Sequence, residues 1–366
     1  MRNKIVIGLL FTLVSSGLIG YSPQENSTVN REANTRVYSP FGERLDGNLI
    51  VSEHQKLVDD KNYEVTTVFR SASINGGEKT DREVNLKSQK LGSNEYQTER
   101  SIKKPDASGR LVTHEVIKEE HKSQGKAEEI QRSFYEADMN GKLLPRMVEN
   151  ETLTQTSPKE TQKTKARYRP DTDGKFSLVE SEEGTERRVS EAVSIKESVR
   201  KKKDVSGRMV AVESSKETTT KTGEGAFKKE TIVQQATDNG RLVPTDHVTE
   251  TQSQGPDGVR KYQRLLESKG LNSIYKNLNS PGLILSQRVT GEERKLPDGS
   301  IQTTTQIETI DPSNQSNGLR VTETVTEVSK PLPNGKFQVE RVVKSRDPNG
   351  NFSVSQRVEQ TVQPTR

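Results

Sequence analysis

Asp106 to Val112, DASGRLV, returns down the chain as DMNGKLL (Asp138 to Leu144), DTDGKFS (Asp171 to Ser177) and DVSGRMV (Asp204 to Val210). An Asp carboxylate can accept hydrogen bonds from the backbone just ahead of it, and Gly takes up a positive φ without steric cost. D-x-x-G therefore reads as a tight reversal between two strands. After each glycine come a basic and then an apolar residue: Arg110-Leu111, Lys142-Leu143, Lys175-Phe176, Arg208-Met209 and Arg241-Leu242. The apolar residue is expected to open the buried face of the strand that follows.

The turn glycines Gly109, Gly141, Gly174, Gly207 and Gly240 are spaced 32, 33, 33 and 33 residues apart. A fixed period in this range marks a repeat architecture. Weaker breakers near mid-interval, at Gly125, Ser157-Pro158 and Gly223, divide each unit into two strands and two turns. In the C-terminal region Phe352, Val354 and Val358 share one parity against Ser353, Ser355, Arg357 and Glu359. Leu319, Val321 and Val325 do the same against Arg320, Thr322, Thr324 and Thr326. That is the alternation of half-buried strands, and short turns make sequential strands antiparallel neighbours.

The expected fold is therefore all-β: an elongated, repetitive antiparallel β-meander of about 33-residue hairpin repeats, forming a single-layer or thin twisted sheet. About sixteen strands at ~4.8 Å each would make a ribbon on the order of 80 Å long. The sequence divides into a signal peptide (1–22), a disordered linker (23–46), a repetitive β-meander (47–255), an insert interrupting the repeat (256–282) and a C-terminal β-meander (283–366). The leader rests on a basic start, Met1 to Lys4, and an apolar run from Ile5 to Ile19, shorter than the ~18–20 residues of a spanning helix. Pro23 to Asp46 is rich in Ser, Asn, Glu and Pro. Val259 to Asn279 breaks the glycine spacing and reads as a short helix pair split at Gly270 or as another hairpin. Turns at Pro297-Asp298-Gly299, Asn317-Gly318, Asn334-Gly335 and Asn349-Gly350 carry the meander to its end.

Of the 366 residues only 28% are hydrophobic and 30% are charged, and the mean hydropathy is −0.89. A thick core is not available to such a chain. Lys+Arg 57 against Asp+Glu 52 leaves +5, with the two signs interleaved. The run Arg200-Lys201-Lys202-Lys203 reads as a solvated turn, and no specific nucleic-acid partner is expected. The chain has no Cys, which removes disulfides, thiolate metal sites and cysteine nucleophiles together.

Little catalytic chemistry can be assembled. His54, His114, His121 and His247 fall in no metal-ligand spacing and are expected at the surface. Glu136 to Gly141 places oxygens at alternate positions, as an EF-hand loop begins, but Met147 stands where the closing Glu is needed. P-loop, dinucleotide and G-x-S-x-G signatures are missing. Catalytic, cofactor-binding and metal residues are all expected to be none, and the protein is read as not an enzyme and without a cofactor.

The D-x-x-G-R-L phrase resembles the heart of the YD repeats of Rhs-type secreted proteins, which wind a β-sheet into a large shell. The overlap covers that phrase, best in Asp106 to Leu111, with weaker copies to Leu242. Pro105, Ala137, Pro170 and Lys203 stand where that family carries Tyr. The phrase is read as a shared solution to one turn, and an open ribbon is expected.

The function expected is that of a non-enzymatic secreted or cell-envelope repeat protein with a structural, spacer or protein-interaction role. The alternative is an extracellular polyanion- or carbohydrate-binding module using the row of basic residues after the turn glycines. The expected partner is an envelope or extracellular polymer or protein. The expected location is secreted, periplasmic or cell surface, with no transmembrane segment once the leader is removed.

Overall fold

The structure is a computed structural model that describes residues 29–37, 49–57, 62–72, 78–269, 282–310, 318–333, 337–347 and 350–362. The strands are β1 (Val29–Val37), β2 (Leu49–Leu57), β3 (Asn62–Ala72), β4 (Glu78–Lys90) and β5 (Glu95–Pro105). Next come β6 (Leu111–Gln124), β7 (Ala127–Ala137), β8 (Leu143–Ser157), β9 (Glu160–Pro170) and β10 (Phe176–Arg188). They are followed by β11 (Val193–Lys203), β12 (Met209–Gly223), β13 (Ala226–Ala236), β14 (Leu242–Gln254) and β15 (Arg260–Ser268). The last are β16 (Ile284–Lys295), β17 (Ile301–Ile310), β18 (Leu319–Pro331), β19 (Phe337–Arg346) and β20 (Phe352–Val362). Every strand pairs antiparallel with its neighbours in sequence, and all belong to one 20-stranded sheet.

The elongated open ribbon expected from the sequence is corrected by the pairing of the two ends. β1 pairs with β2 and also with β20, its Asn34 opposite Glu359 and its Thr35 opposite Val358. The sheet thus closes on itself as an up-and-down β-barrel, which removes the unpaired edges that a ribbon would leave. β1 falls inside the stretch read as a linker. Its Asn, Arg and Glu residues have poor strand propensity, and two flanking partners override that preference. Arg260 to Ser268, in the stretch read as an insert, continues the meander as β15 between β14 and β16. Residues 270–281 lie outside the described residues, as do the leader, the turn at Asn334-Gly335 and part of those at Asn317-Gly318 and Asn349-Gly350.

The D-x-x-G reversals form as expected. Asp106 N–H donates to the Arg110 carbonyl at 2.8 Å, and Gly109 N–H to the Asp106 carbonyl at 2.9 Å. Gly109 has φ 82. The Asp106 Oδ1 accepts the N–H groups of Ser108 at 2.8 Å and Arg110 at 3.0 Å. Asp138, Asp171 and Asp204 repeat this arrangement. Each of these turns joins an odd-numbered strand to the next even one, so all lie on one rim, called here the aspartate rim.

A second regularity sits just below that rim. Each odd-to-even hairpin from β3/β4 to β19/β20 carries one extra residue on its second strand: Asp81, His114, Arg146, Val179, Val212, Thr245, Ser286, Thr322 and Ser355. A bulge bends its strand and raises local twist. A ring of them supplies the curvature that closure of a broad sheet needs.

Twenty strands at ~4.8 Å give a circumference of about 96 Å and a backbone diameter of about 30 Å before strand tilt widens it. No strand packs to any extent against one beyond its second neighbour. The accessible surface is 24056 Å², against about 15,000 Å² for a compact monomer of 40.9 kDa. The wall is wet on both faces.

Candidate functional site: the charged belt of the inner wall

Strand register separates the two faces. Buried Val65, Ile130, Val343, His121, Glu149, Glu151 and Gln356 all fall on one parity of the sheet. Val116, near the His114 bulge, is the exception on the other. On the first face Glu149 and Glu151 keep 5% and 10% of their side-chain exposure. On the second the pair Lys118 and Glu99 keeps 45% and 44%. Side chains converge on the concave side of a closed sheet and splay on the convex side, so the first face lines the barrel.

Across that inner face runs a belt of alternating charge. Glu119, Arg132, Glu149, Arg167 and Glu180 stand directly opposite one another on β6 to β10. Arg132 binds Glu119 through Nε and reaches Glu149 at 3.0 Å and Glu151 at 2.8 Å through Nη1. Arg167 Nε donates to Glu149 at 2.7 Å, and its Nη1 to Glu180. Lys165 and Lys163 close on Glu149 at 3.0 Å and Glu151 at 2.9 Å. Arg200 carries the belt to β12 by way of Glu180 at 3.6 Å and Glu213 at 2.7 Å. Opposite charges directly across a sheet stabilise the pairing.

Burial pushes the Glu149 carboxyl up, but hydrogen bonds from Arg167, Lys165 and Arg132 outweigh it and hold the group below the usual carboxylate range. Glu151 is likewise held low, by Arg132 and Lys163 against its own burial. The belt is thus a set of fixed, mutually compensated charges.

One end of the belt carries the buried His121. Its Nε2 lies 2.8 Å from Glu119 and its Nδ1 3.2 Å from Glu128, and its ring stacks on Tyr96 with centroids 4.2 Å apart. Burial, and then the charges of Glu119 and Glu128, push the Tyr96 hydroxyl up to about 12.

The expectation of surface histidines is corrected here: His121 is buried, because its inward parity and the two carboxylates enclose it. His114 occupies a bulge, with Nδ1 buried and unbonded, and His247 pairs with Glu267 at 2.7 Å. The side chain of His54 lies outside the described residues. The run Arg200 to Lys203 is the end of β11 rather than a turn, and its first three residues bridge Glu180, Glu183 and Glu213. The Asp138 carboxylate of the calcium-like stretch accepts the N–H groups of Asn140 and Lys142, both at 2.9 Å. The belt itself was missed, although its acids and bases recur at hairpin spacing. In a chain this rich in both, pairing shows only once register is known.

The outer face is polar along most of its height. It carries cross-strand pairs such as Lys87 with Glu64 and Lys216 with Glu197, where outer-membrane barrels carry an apolar band ~25 Å tall. Among the described residues no helix is long and apolar enough to cross a membrane, a criterion that does not bear on strands.

The fold and the belt define a closed antiparallel β-barrel with a charged interior. No family model and no curated protein matches the chain. Among solved structures it is similar to the siderophore receptor PirA from Pseudomonas aeruginosa, with 8% identity, TM-score 0.49, and 93% of this chain and 81% of that one covered. OccK1 (OpdK) from the same organism gives 10% identity and TM-score 0.45 over 92% and 97%. A mutant of Rh. blastica porin gives 7% and 0.40 over 66% and 95%.

Three expectations are corrected by the closed sheet. The secreted structural spacer and the polyanion- or carbohydrate-binding surface both presupposed an open ribbon, whereas the ends of the sheet are joined. The statement that no segment spans a membrane rested on the length of an apolar helix, which says nothing of a barrel.

Proposed function

We propose that the chain is a conduit of the cell envelope, a barrel whose wall encloses a passage for polar solutes and plays no catalytic part in their passage. The observation that carries this reading is ring closure around an inner face bearing fixed charges. Charges along the belt alternate and compensate, and the Debye length at physiological salt is ~8 Å. A bore on the order of 20 Å between side chains therefore sorts solutes by size more than by sign.

The chain has no Cys, so single cysteines report cleanly. Thr231 lies on the inner face opposite Glu217, and Thr249 on the outer face opposite Glu230. With maleimides on polymers of graded width, Thr249→Cys should react with every size, whereas Thr231→Cys should stop reacting once the polymer exceeds the bore. Equal reactivity of both with all sizes would mean an open sheet, and an inner cysteine that reacts with none would mean a filled barrel; either overturns the proposal. Fractionation should find the protein with the envelope rather than in the medium.

A further inference from the structure

The apolar residue after each turn glycine takes the outer parity, so it does not open the enclosed face as the sequence had suggested. The side chains that do face inward at a fixed place in the repeat stand seven residues before the glycine. Ile102, Phe134, Arg167, Arg200 and Val233 hold that place before Gly109, Gly141, Gly174, Gly207 and Gly240, all on the inner parity. Register partners climb toward the aspartate rim by about one residue per strand: the row begun by Glu119 in mid-β6 reaches Val210 at the start of β12. A line level with the rim therefore steps back about one residue at each strand, and the repeat keeps these side chains on that line. Phe69, Leu266, Ile307 and Val343 continue it on β3, β15, β17 and β19.

The even strands between them add Val84, Ile117, Val248, Val289, Val325 and Val358, and in one sector Glu149, Glu182 and Ser215. The apolar members fill β13 to β20 and β3 to β7 without a break, and the charged or hydroxyl-bearing ones fill β8 to β12 without a break. On each odd strand from β3 to β19 the inner residues two before and two after are polar, as Arg132 and Glu136 are around Phe134, and Arg264 and Ser268 around Leu266. The inner wall thus carries an isolated apolar girdle, open over the sector where the charged belt crosses it. Among the described residues no strand packs to any extent across the bore, so the girdle faces the passage rather than a second layer of core.

We propose that the girdle is a resting site for anionic amphiphiles in the passage: the hydrocarbon chain lies along the apolar arc, and the acid head meets Arg169 at its edge. This rests on the conduit reading and narrows it, from polar solutes at large to those with an apolar portion. The girdle is about two residues, or ~7 Å, tall. That height takes a single chain laid along the wall, whereas a broad apolar surface would overhang onto polar rows above and below and desolvate them. The head is selected by what the belt leaves over. The carboxylates around Arg169 are engaged: Glu149 with Arg132, Lys165 and Arg167, Glu180 with Arg167 and Arg200, and Glu136 with Arg146. Arg169 itself is exposed and has no ion pair among the described residues. Met147 faces Phe134, and Arg169 comes next in the same row, so the places for chain and head adjoin.

The chain has no Trp, so one introduced indole reports alone. In full-length protein, Phe134→Trp on the inner face should be quenched along a saturable curve by dibromostearate, added below the concentration at which it forms micelles. Tyr135→Trp, next in sequence and on the outer face, should not be quenched. Adding Arg169→Gln to Phe134→Trp should raise the half-quenching concentration on the order of tenfold, through loss of a hydrogen bond to a charged group, and should leave quenching by the matching bromo-alcohol unchanged. The proposal is overturned if Phe134→Trp ignores the acid, if both indoles are quenched alike, as by adsorption anywhere on the wall, or if Arg169→Gln leaves quenching by the acid unaffected. Graded maleimides on Thr231→Cys read the bore without any amphiphile. A hollow bore with an unquenched Phe134→Trp sinks the resting site alone, whereas an open sheet or a filled barrel sinks the conduit as well.

Discussion

Asp106 does the work of a loop in one side chain. Its Oδ1 accepts from the Ser108 hydroxyl at 2.6 Å and from two backbone amides, while the Arg110 guanidinium lies 3.3 Å from Oδ2. The Ser108 hydroxyl foremost, with these amides and the guanidinium, holds the carboxyl down at about 2, below the ordinary aspartate value. A folded-state value below the unfolded one gives stability that is present above about pH 4 and is lost as pH falls toward 2. Amide exchange at Ser108 and Arg110 should accordingly accelerate through that window in the native chain and be fast at every pH in Asp106→Ala. Gly174 tests the other half of the turn. Its φ is 76 and nothing lies within 4 Å of an added Cβ, so Gly174→Ala meets backbone strain alone. It should cost roughly 1–2 kcal/mol in urea denaturation. This half of the structure was open to sequence reasoning, because a turn is fixed by residues next to one another.

Elements show where that reasoning stopped. The alternation in Phe352 to Val358 and Leu319 to Val325 announced strands. It did not reveal which face would be enclosed, since both parities are mostly polar and facing depends on closure. Bulges such as His114 and Val179 left no mark in composition, although the parity of apolar residues shifts across them. Arg132 illustrates what register adds. It joins carboxylates on β6 and β8 from its place on β7, all within the shielded face. Arg132→Met strands Glu149 and Glu151 with fewer donors and should cost roughly 2–4 kcal/mol. Lys118→Met on the open outer face should change stability by less than about 1 kcal/mol. Equal urea midpoints for the two variants would mean that the belt is as solvated as the outer wall. Tyr262 supplies a second packing test. Its ring lies across Gly291 on the next strand and its hydroxyl meets Thr305 beyond. Gly291→Ala should destabilise by about 1–3 kcal/mol, and Tyr262→Ala should remove most of that penalty in the double variant.

At the scale of the whole molecule everything turns on the seam between the first and last strands. A meander of hairpins is local, and each hairpin forms from residues within a short span of chain. The β1–β20 pairing joins residues more than 300 apart, so its loop-closure entropy is recovered only when the last strand docks. No local pattern encodes such a pairing, and for that reason an open ribbon was the natural expectation from the repeats. The chain has no Cys, which makes the seam directly testable. Asn34 and Glu359 are register partners across it, so Asn34→Cys with Glu359→Cys should form an intramolecular crosslink on mild oxidation or with a short bis-maleimide. The crosslinked chain should run faster on a denaturing gel. Moving the second cysteine to Thr249 on β14, some distance round the ring, should abolish the product. If the crosslink fails to form within one chain, or forms only between chains, then the sheet is open, its edges pair in trans, and the passage and the inner belt both lose their geometric basis. If it forms, urea should unfold the reduced protein well before the oxidised one, because fastening the seam removes loop entropy on the order of 6 kcal/mol from the unfolded chain.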